Sequence, residues 1–445
     1  MSTNIQKNQI TEGIIWRQLL LFFFPILLGT FFQQLYNTID SVIVGQFVGK
    51  EALAAVGGSS AQIVAFVVGF FTGLSSGASV TIAQFFGAKD SRSANKGLHT
   101  AYAIAAFGGL ILTVSGIILT PFLLEMMNTP ADIVADSAVY LRIYFAGIIF
   151  VLIYNMGSAI LRATGDSKRP LYYLIVCCII NIVLDVLFVI VFHMGVMGVA
   201  VATLIAQAVS AVLVTLKLMR SEGILKLSVK QIRFHGSILK MQLKLGLPTG
   251  FEAILFSITN IAIQSAVNTF GTDTTAAWSA YGKLDAIFWM VSTAFGIAIT
   301  TFVGQNYGAG KMDRVRKSTR VCLLMDFIVS AVLVVFLIAA RFLLFRLFTN
   351  DSHVIEIGCD MLVLITPWYI VYVFIEVIAG ALRGVGNVVV PVAITLLGVC
   401  VLRIAWLAAM LKISPTISAI ILSYPVTWVI TALAFIIYYI YITHK

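Results

Sequence analysis

The 445-residue chain is 60% hydrophobic and only 11% charged, with a net charge of +10 and a mean hydropathy of +1.01. Soluble domains average about 25% charged residues, so a soluble enzyme, a DNA-binding factor and a disordered chain are excluded. What remains is an all-α polytopic membrane protein of about twelve helices, each about 20 apolar residues long, with little chain left for an extramembrane domain.

The start is polar as far as Arg17. The apolar run after it is too long for a signal peptide and has no small-residue cleavage site, so it reads as a retained first span. Apolar stretches lie at 18–40, 53–78, 98–120, 138–161, 171–194 and 196–218. They resume at 243–268, 276–303, 321–343, 359–382, 389–411 and 416–441. Their length and uniformity fit helices and not barrel strands, which alternate over about ten residues. The expected organisation is an N-lobe of six spans over 1–218, a cytoplasmic linker over 219–242, and a C-lobe of six spans over 243–445.

Span 1 carries Pro25 and then Gln33, Tyr36, Asn37 and Asp40. Their three- and four-residue spacings predict one polar helix stripe, a water-accessible wall with Asp40 near the outer end. An interfacial Asp at a helix end is the alternative. In span 2, Gly69, Gly73 and Gly77 recur every four residues and form a small-residue face for close helix packing. Span 5 places Asn181 and Asp185 four apart near its middle, between Val183, Leu184, Val186 and Leu187. A carboxylate there must pair, take a proton or bind a cation. Thr203 in span 6 adds a hydroxyl oxygen. Hard cations favour such oxygen ligands, a preference stated for Ca²⁺ and Mg²⁺ and extended here to Na⁺. Hydrogen bonding between helices is the competing reading for these residues.

The second half offers different polar groups: Glu252 in span 7, four residues after Pro248; Lys283 and Asp285 in span 8; Glu376 in span 10; and Arg403 in span 11. Lys283 and Asp285 are two apart and point to different helix faces, so they find other partners. Buried ion pairing competes with a substrate role for this set.

The two halves repeat at an offset of 221. Gln84-Phe85-Phe86-Gly87-Ala88 returns as Gln305-Asn306-Tyr307-Gly308-Ala309, Lys96 as Lys317, Leu161-Arg162 and Gly165 as Leu382-Arg383 and Gly386, and Pro170 as Pro391. Six spans per half is an even number, so the halves share one orientation. Parallel repeats about an axis along the membrane normal are a transporter plan. Asn181 and Asp185 align with Leu402 and Trp406, so the candidate ion site has no copy in the second half.

Most of the 29 basic residues fall on one side if the N-terminus is inside, including Lys7, Lys89, Arg92, Lys96, the 217–244 group, the 311–320 group and Lys445. The positive-inside bias therefore places both termini in the cytoplasm. It also accounts for the basic net charge without nucleic acid. The five cysteines form no metal-type pair and define no redox compartment. HExxH, P-loop and GxSxG patterns are absent from the sequence, so no enzyme chemistry is expected, and active transport has to run on an ion gradient.

Taken together, Leu35-Tyr36-Asn37-Thr38-Ile39-Asp40 with Val44-Gly45, Gln84 to Ala88, Leu161-Arg162-Ala163-Thr164-Gly165-Asp166, Gly246-Leu247-Pro248, Gly304 to Gly310 and Leu382-Arg383-Gly384 resemble the multidrug and toxic compound extrusion (MATE) family over essentially the whole chain. The resemblance implies a secondary antiporter of the plasma (inner) membrane. It would export cationic or amphipathic compounds in exchange for H⁺ or Na⁺, with no cofactor, as a monomer. It implies a cation site of Asp40, Asn181, Asp185 and Thr203, as in DinF-like and archaeal members, and it leans to H⁺. Glu252 resembles the span-7 acid of NorM-like members. Glu376 departs from the spacing of that group's span-10 acid, which leaves a C-lobe cation site open. Gln33, Tyr36, Asn37, Glu252, Lys283, Asp285 and Glu376 are the candidate substrate-cavity residues. A flippase for a lipid-linked or polar metabolite is the second transporter reading, ranked lower because the intramembrane basic residues are only Lys283 and Arg403. A membrane-embedded enzyme is the alternative of another class.

Overall fold

The computed structural model describes residues 9–444; Lys7 and Lys445, used above for orientation, lie outside them. The described chain is helical, with no strand. Among the described residues, twelve helices are long and apolar enough to cross a bilayer: Ile15–Phe47, Lys50–Gly87, Ser91–Met126, Val134–Ala163, Lys168–Val191 and Gly195–Met219, then Gly236–Asn268, Thr272–Gly308, Met312–Arg346, Ser352–Gly384, Val389–Ile413 and Ile417–Thr443. These are spans 1 to 12. Several overrun the apolar stretches by one or two turns, because a helix continues wherever its backbone bonds persist, while hydropathy marks only the hydrocarbon depth. Outward-facing residues such as Ile118, Val332, Val335 and Leu343 are large, apolar and exposed, as a lipid-facing surface requires.

The chain divides into two compact units, Phe24–Gly250 and Met1–Phe23 with Phe251–Lys445. The division falls inside spans 1 and 7, next to Pro25 and Pro248, and not in the 219–242 segment. The first residues of span 1 go with the second unit for a visible reason. Phe23 stacks on Phe295 at 4.1 Å and Phe22 meets Phe302 edge-on at 6.1 Å. Upstream of them, Arg314 donates to the Ile10 and Gly13 carbonyls and Lys311 to that of Thr11. The start of span 7 joins the first unit by the same logic. Gln242 Nε2 donates to the Gly97 carbonyl at 2.9 Å, and Gly246 and Gly250 lie against span 2 backbone.

That contact is what the glycine spacing of span 2 serves. A Cβ on Gly77 would collide with the Gln242 carbonyl and the Gly246 nitrogen, and one on Gly246 would sit 2.7 Å from the Leu74 carbonyl. In lipid, where apolar burial no longer separates packed from unpacked helices, such backbone proximity supplies the association. Gly77→Ala is therefore expected to lose about 1–3 kcal/mol to overpacking. Gly57→Ala, whose Cβ meets nothing within 4 Å, is the control. Thermal unfolding of both variants in one detergent checks this.

Each unit has its own core. In the first, Leu74, Ile82, Leu98, Ile148, Leu152 and Val214 interlock from spans 2, 3, 4 and 6. In the second, Phe288, Leu337, Leu362, Tyr369, Trp428 and Phe435 do so from spans 8, 9, 10 and 12. The repeat read from the sequence extends to backbone detail at the same offset. Asp90 N–H closes on the Phe85 carbonyl as Lys311 N–H does on Asn306, and Asp166 on Leu161 as Asn387 on Leu382. Ser79 Oγ donates to the Ala159 carbonyl at 3.2 Å, and Thr300 Oγ1 to that of Gly380 at 3.0 Å. The left-handed position after span 2 is Lys89 (φ 59°), and after span 8 it is Gly310 (φ 70°). Glycine suits that position and lysine only tolerates it. The two units are thus pseudo-symmetric six-helix lobes.

Candidate functional site

Span 1 does not end near Asp40. It runs on to Phe47, so Asp40 lies about two turns inside the helix and is only 7% exposed. Tyr36, one turn earlier, is buried with it, as are Ile43 and Val44 one turn later. Gln33 and Asn37 are exposed. The predicted single stripe is really two adjacent ridges. Tyr36 and Asp40 follow one i, i+4 row; Gln33 and Asn37 follow the next, turned about 100° away.

Span 5 is buried where it carries Asn181 and Asp185, with Asp185 at 0% exposure. Directly after Asp185 the helix widens into a π turn over Val186–Val191, and span 11 does the same over Leu396–Val401. π turns are rare and recur at functional sites. The Asp40 side chain faces Asp185 and Thr203, so spans 1, 5 and 6 bring these three predicted cation-site residues together, and Asn181 is buried one turn before Asp185 on span 5. Asp40 Oδ1, both Asp185 carboxyl oxygens, Asn181 Oδ1 and Nδ2, and Thr203 Oγ1 are all buried without a completed hydrogen bond.

Two residue groups around this site carried no signal in the sequence reading. Tyr140 and Tyr144 of span 4, stacked at 6.2 Å, lie within electrostatic reach of Tyr36, and Tyr140 within reach of both carboxylates. Gln207 of span 6 donates to the Tyr36 hydroxyl at 3.3 Å. Tyrosines at apolar helix spacing look like core, and only the partner across the bundle shows otherwise.

The chemistry of this cluster is specific. Two ionised carboxylates facing each other repel, and buried carboxylates need compensating charge. The Thr203 hydroxyl and the Asn181 amide beside them are neutral and bring no compensating charge. One proton shared by the pair, or one hard cation bound by the oxygens, satisfies the set. Among the described residues no group of three His, Cys, Asp or Glu side chains could hold a metal ion.

The second unit uses its polar residues differently. Arg383 pairs with Glu376 at 3.0 Å, both partly buried. Gly296 leaves the space that the Glu376 carboxylate occupies. Glu252 is buried nearby, within reach of both charges. Asp285 accepts from Tyr369 at 2.5 Å, Trp289 Nε1 at 2.7 Å and Tyr281 at 3.3 Å. Tyr369 is aimed there by a 3₁₀ turn at Thr366–Trp368 containing Pro367. Arg403 stacks over Tyr424 at 4.0 Å and donates to Thr427 Oγ1 at 2.9 Å. Lys283 is exposed and joins none of these groups. As expected, Lys283 and Asp285 have separate surroundings, and ion pairing occurs at Glu376. Asp326 of span 9 escaped the sequence reading. It is fully buried, accepting from Ser330 at 3.2 Å, and the carboxylate in the apolar run after Met325 was its signal.

Comparison with known proteins agrees with this architecture. The MatE family profile matches residues 25–187 and 248–408, one stretch in each half. The chain is 30% identical over 393 residues to the probable multidrug resistance protein YoeA of Bacillus subtilis, covering 86% of this chain and 84% of that protein. It is 27% identical over 420 residues to the probable multidrug resistance protein NorM of Thermotoga maritima, covering 92% and 88%. A MOP superfamily transporter from Pyrococcus furiosus has the same fold, with a TM-score of 0.91 over 98% of both chains at 21% identity. Twelve membrane helices in two repeated lobes, with the family profile on each lobe, make this chain a member of the MATE family of efflux transporters.

Proposed function

We propose that the protein exports cationic or amphipathic small molecules across the plasma membrane, as a monomer, in exchange for H⁺ or Na⁺. The observation that carries this reading is the buried, acceptor-rich cluster of Asp40, Asn181, Asp185 and Thr203. A proton or cation there removes the repulsion between the carboxylates and favours one lobe conformation; substrate favours the other. Coupling requires that difference in preference and nothing more. Within the second unit, Glu252 supplies negative charge for a cationic substrate beside the Glu376–Arg383 pair; within the first, the exposed Gln33 and Asn37 offer polar contacts of their own. No bond in the substrate is made or broken, so the protein acts without a cofactor and not as an enzyme.

Efflux of a cationic fluorescent dye from proteoliposomes with an imposed Na⁺ or pH gradient tests the reading. Gradient-driven dye movement is expected; dye flux indifferent to both gradients overturns it. The flippase reading needs basic groups free for phosphate, and Arg403 is already held by Tyr424 and Thr427.

The basic residues of 217–244 and 311–320 support a cytoplasmic position for these segments and for both termini. Single cysteines at 219–240 and at 125–136, in a variant lacking the five native cysteines, are expected to label from opposite sides with an impermeant reagent. Labelling of both from outside intact cells overturns this orientation.

A further inference from the structure

Outside the membrane core, the first unit contains a cavity of about 340 Å³ lined by Arg92, Lys96 and His99 of span 3 and by Lys230, Arg233 and His235 of the segment before span 7. Basic residues in loops are ordinary. This group differs because two distant stretches are built together around one half-open recess. Asn95 Nδ2 donates to the Ile224 and Lys226 carbonyls, each at 3.1 Å. The ring of His99 bridges the Asn95 carbonyl at 2.8 Å and the Ser228 N–H at 3.0 Å. A carbonyl only accepts and an N–H only donates, so the ring proton is on Nδ1. Thr100 Oγ1 lies 3.1 Å from His235 Nδ1, and Arg233 Nε donates to His235 Nε2 at 3.3 Å. The linker is thereby fixed along the first turns of span 3.

The four cations in this cavity have no carboxylate partner. No ion pair among the described residues involves Arg92, Lys96, Lys230 or Arg233. Asp90, the acid beside Arg92, is committed to capping span 3 through the Ser93 N–H at 3.0 Å. Glu222 on the linker is exposed and joins no pair. The His235 imidazole feels the result: partial burial and then the neighbouring Arg233 and Lys96 charges hold its pKa below the usual histidine value.

The cavity also has an apolar border. Val229 and Phe234, which alternate with the linker cations, are exposed. Phe234 packs edge-on at 5.9 Å against Phe107, an exposed aromatic of span 3 about two turns beyond Thr100. Phe107 lies on a membrane-spanning helix, so the Phe234 contact places the linker at the edge of the hydrocarbon. A ligand that puts an anionic head among four cations and an apolar chain beside Phe107 and Phe234 is a phospholipid.

We propose that this cavity binds the phosphate group of an anionic phospholipid from the leaflet bordering residues 219–242, with the acyl chains running along span 3. Basic pockets beside membrane helices recognise such head groups. Free inorganic phosphate shares the head-group chemistry but makes no use of Val229, Phe234 or Phe107.

The test is native mass spectrometry of the full-length purified protein with added phosphatidylglycerol or phosphatidylcholine, with inorganic phosphate as competitor. Wild type is expected to retain one phosphatidylglycerol preferentially. Lys230→Gln with Arg233→Gln, both on the exposed linker, should weaken retention by about fivefold per charge removed. Adding Arg92→Gln and Lys96→Gln should abolish the preference, with phosphatidylcholine adducts and the thermal midpoint unchanged. Phe234→Ser should weaken phosphatidylglycerol retention alone. Equal retention of the two lipids, or retention unchanged in the linker double variant, overturns the proposal. Inorganic phosphate displacing the lipid at equal concentration, with no effect of Phe234→Ser, assigns the cavity to free phosphate and overturns the lipid reading.

Discussion

Asp40→Asn and Asp185→Asn are each expected to insert and fold normally yet lose gradient-driven export. The loss should be about 5- to 150-fold in substrate accumulation, the range spanned by a coupling free energy of about 1–3 kcal/mol. In the wild type the two side chains face each other as buried acceptors. An asparagine in either place removes one charge and supplies an N–H for the remaining carboxylate. The variant then resembles the neutralised state permanently, and its equilibrium no longer responds to the ion. The same replacement relieves repulsion between buried like charges, so thermal stability should hold or rise while transport falls. This combination separates a coupling role from a structural one, because a purely structural pair would lose stability first. The measurement is dye efflux in proteoliposomes alongside thermal unfolding of the same preparations. Normal export by both variants would show that this cluster does not couple.

How much of this was legible in the sequence depends on what each residue's signal rests on. The twelve helices were legible because hydropathy over about 20 residues is a bulk property. The repeat was legible because loops such as Gln84 to Ala88 and Gln305 to Ala309 keep their closures, and the backbone bonds at Asp90 and Lys311 show why. Asp185 and Asn181 stood out because a carboxylate and an amide inside an apolar run need a reason. The stripe on span 1 was read one ridge too wide: spacings of three and four give neighbours on a helix, and only the packed bundle decides which ridge turns inward. Tyr140, Tyr144 and Gln207 were not legible, since their role comes from facing Tyr36 and the carboxylates across the bundle. The donors to Asp285 fall in the same class. Tyr369 reaches it from 84 residues away, after a turn whose proline, Pro367, sits inside an otherwise apolar stretch. The division of spans 1 and 7 between units depends on close contacts such as Phe23 on Phe295 and Gly246 on Leu74, which local composition does not encode.

Which ion couples is open to a test by Asn181→Ala and Thr203→Ala. A proton needs only a carboxyl oxygen, and Asp40 with Asp185 supplies four. A Na⁺ ion needs several oxygens at once, and hard cations are held by carboxylate, amide and hydroxyl oxygens together. Thr203 faces Asp40 and Asn181 is buried one turn before Asp185, and neither Thr203 Oγ1 nor Asn181 Oδ1 completes a hydrogen bond, so each is available as a ligand. If Na⁺ couples, removing either oxygen should raise the Na⁺ concentration for half-maximal export about 10- to 100-fold, the cost typical of losing a supporting group at a metal site. If H⁺ couples, both alanine variants should retain most of their export and show chiefly a displaced pH profile, because the proton-binding atoms are still present. Family resemblance leans to H⁺; the oxygens around Asp185 are of the kind that hard cations favour. Dye efflux at equal pH on both sides, with and without a Na⁺ gradient, decides between them. Na⁺-driven export abolished by Asn181→Ala would establish Na⁺ as the coupling ion. Export driven by a pH gradient alone, with Asn181→Ala and Thr203→Ala close to wild type, would establish H⁺.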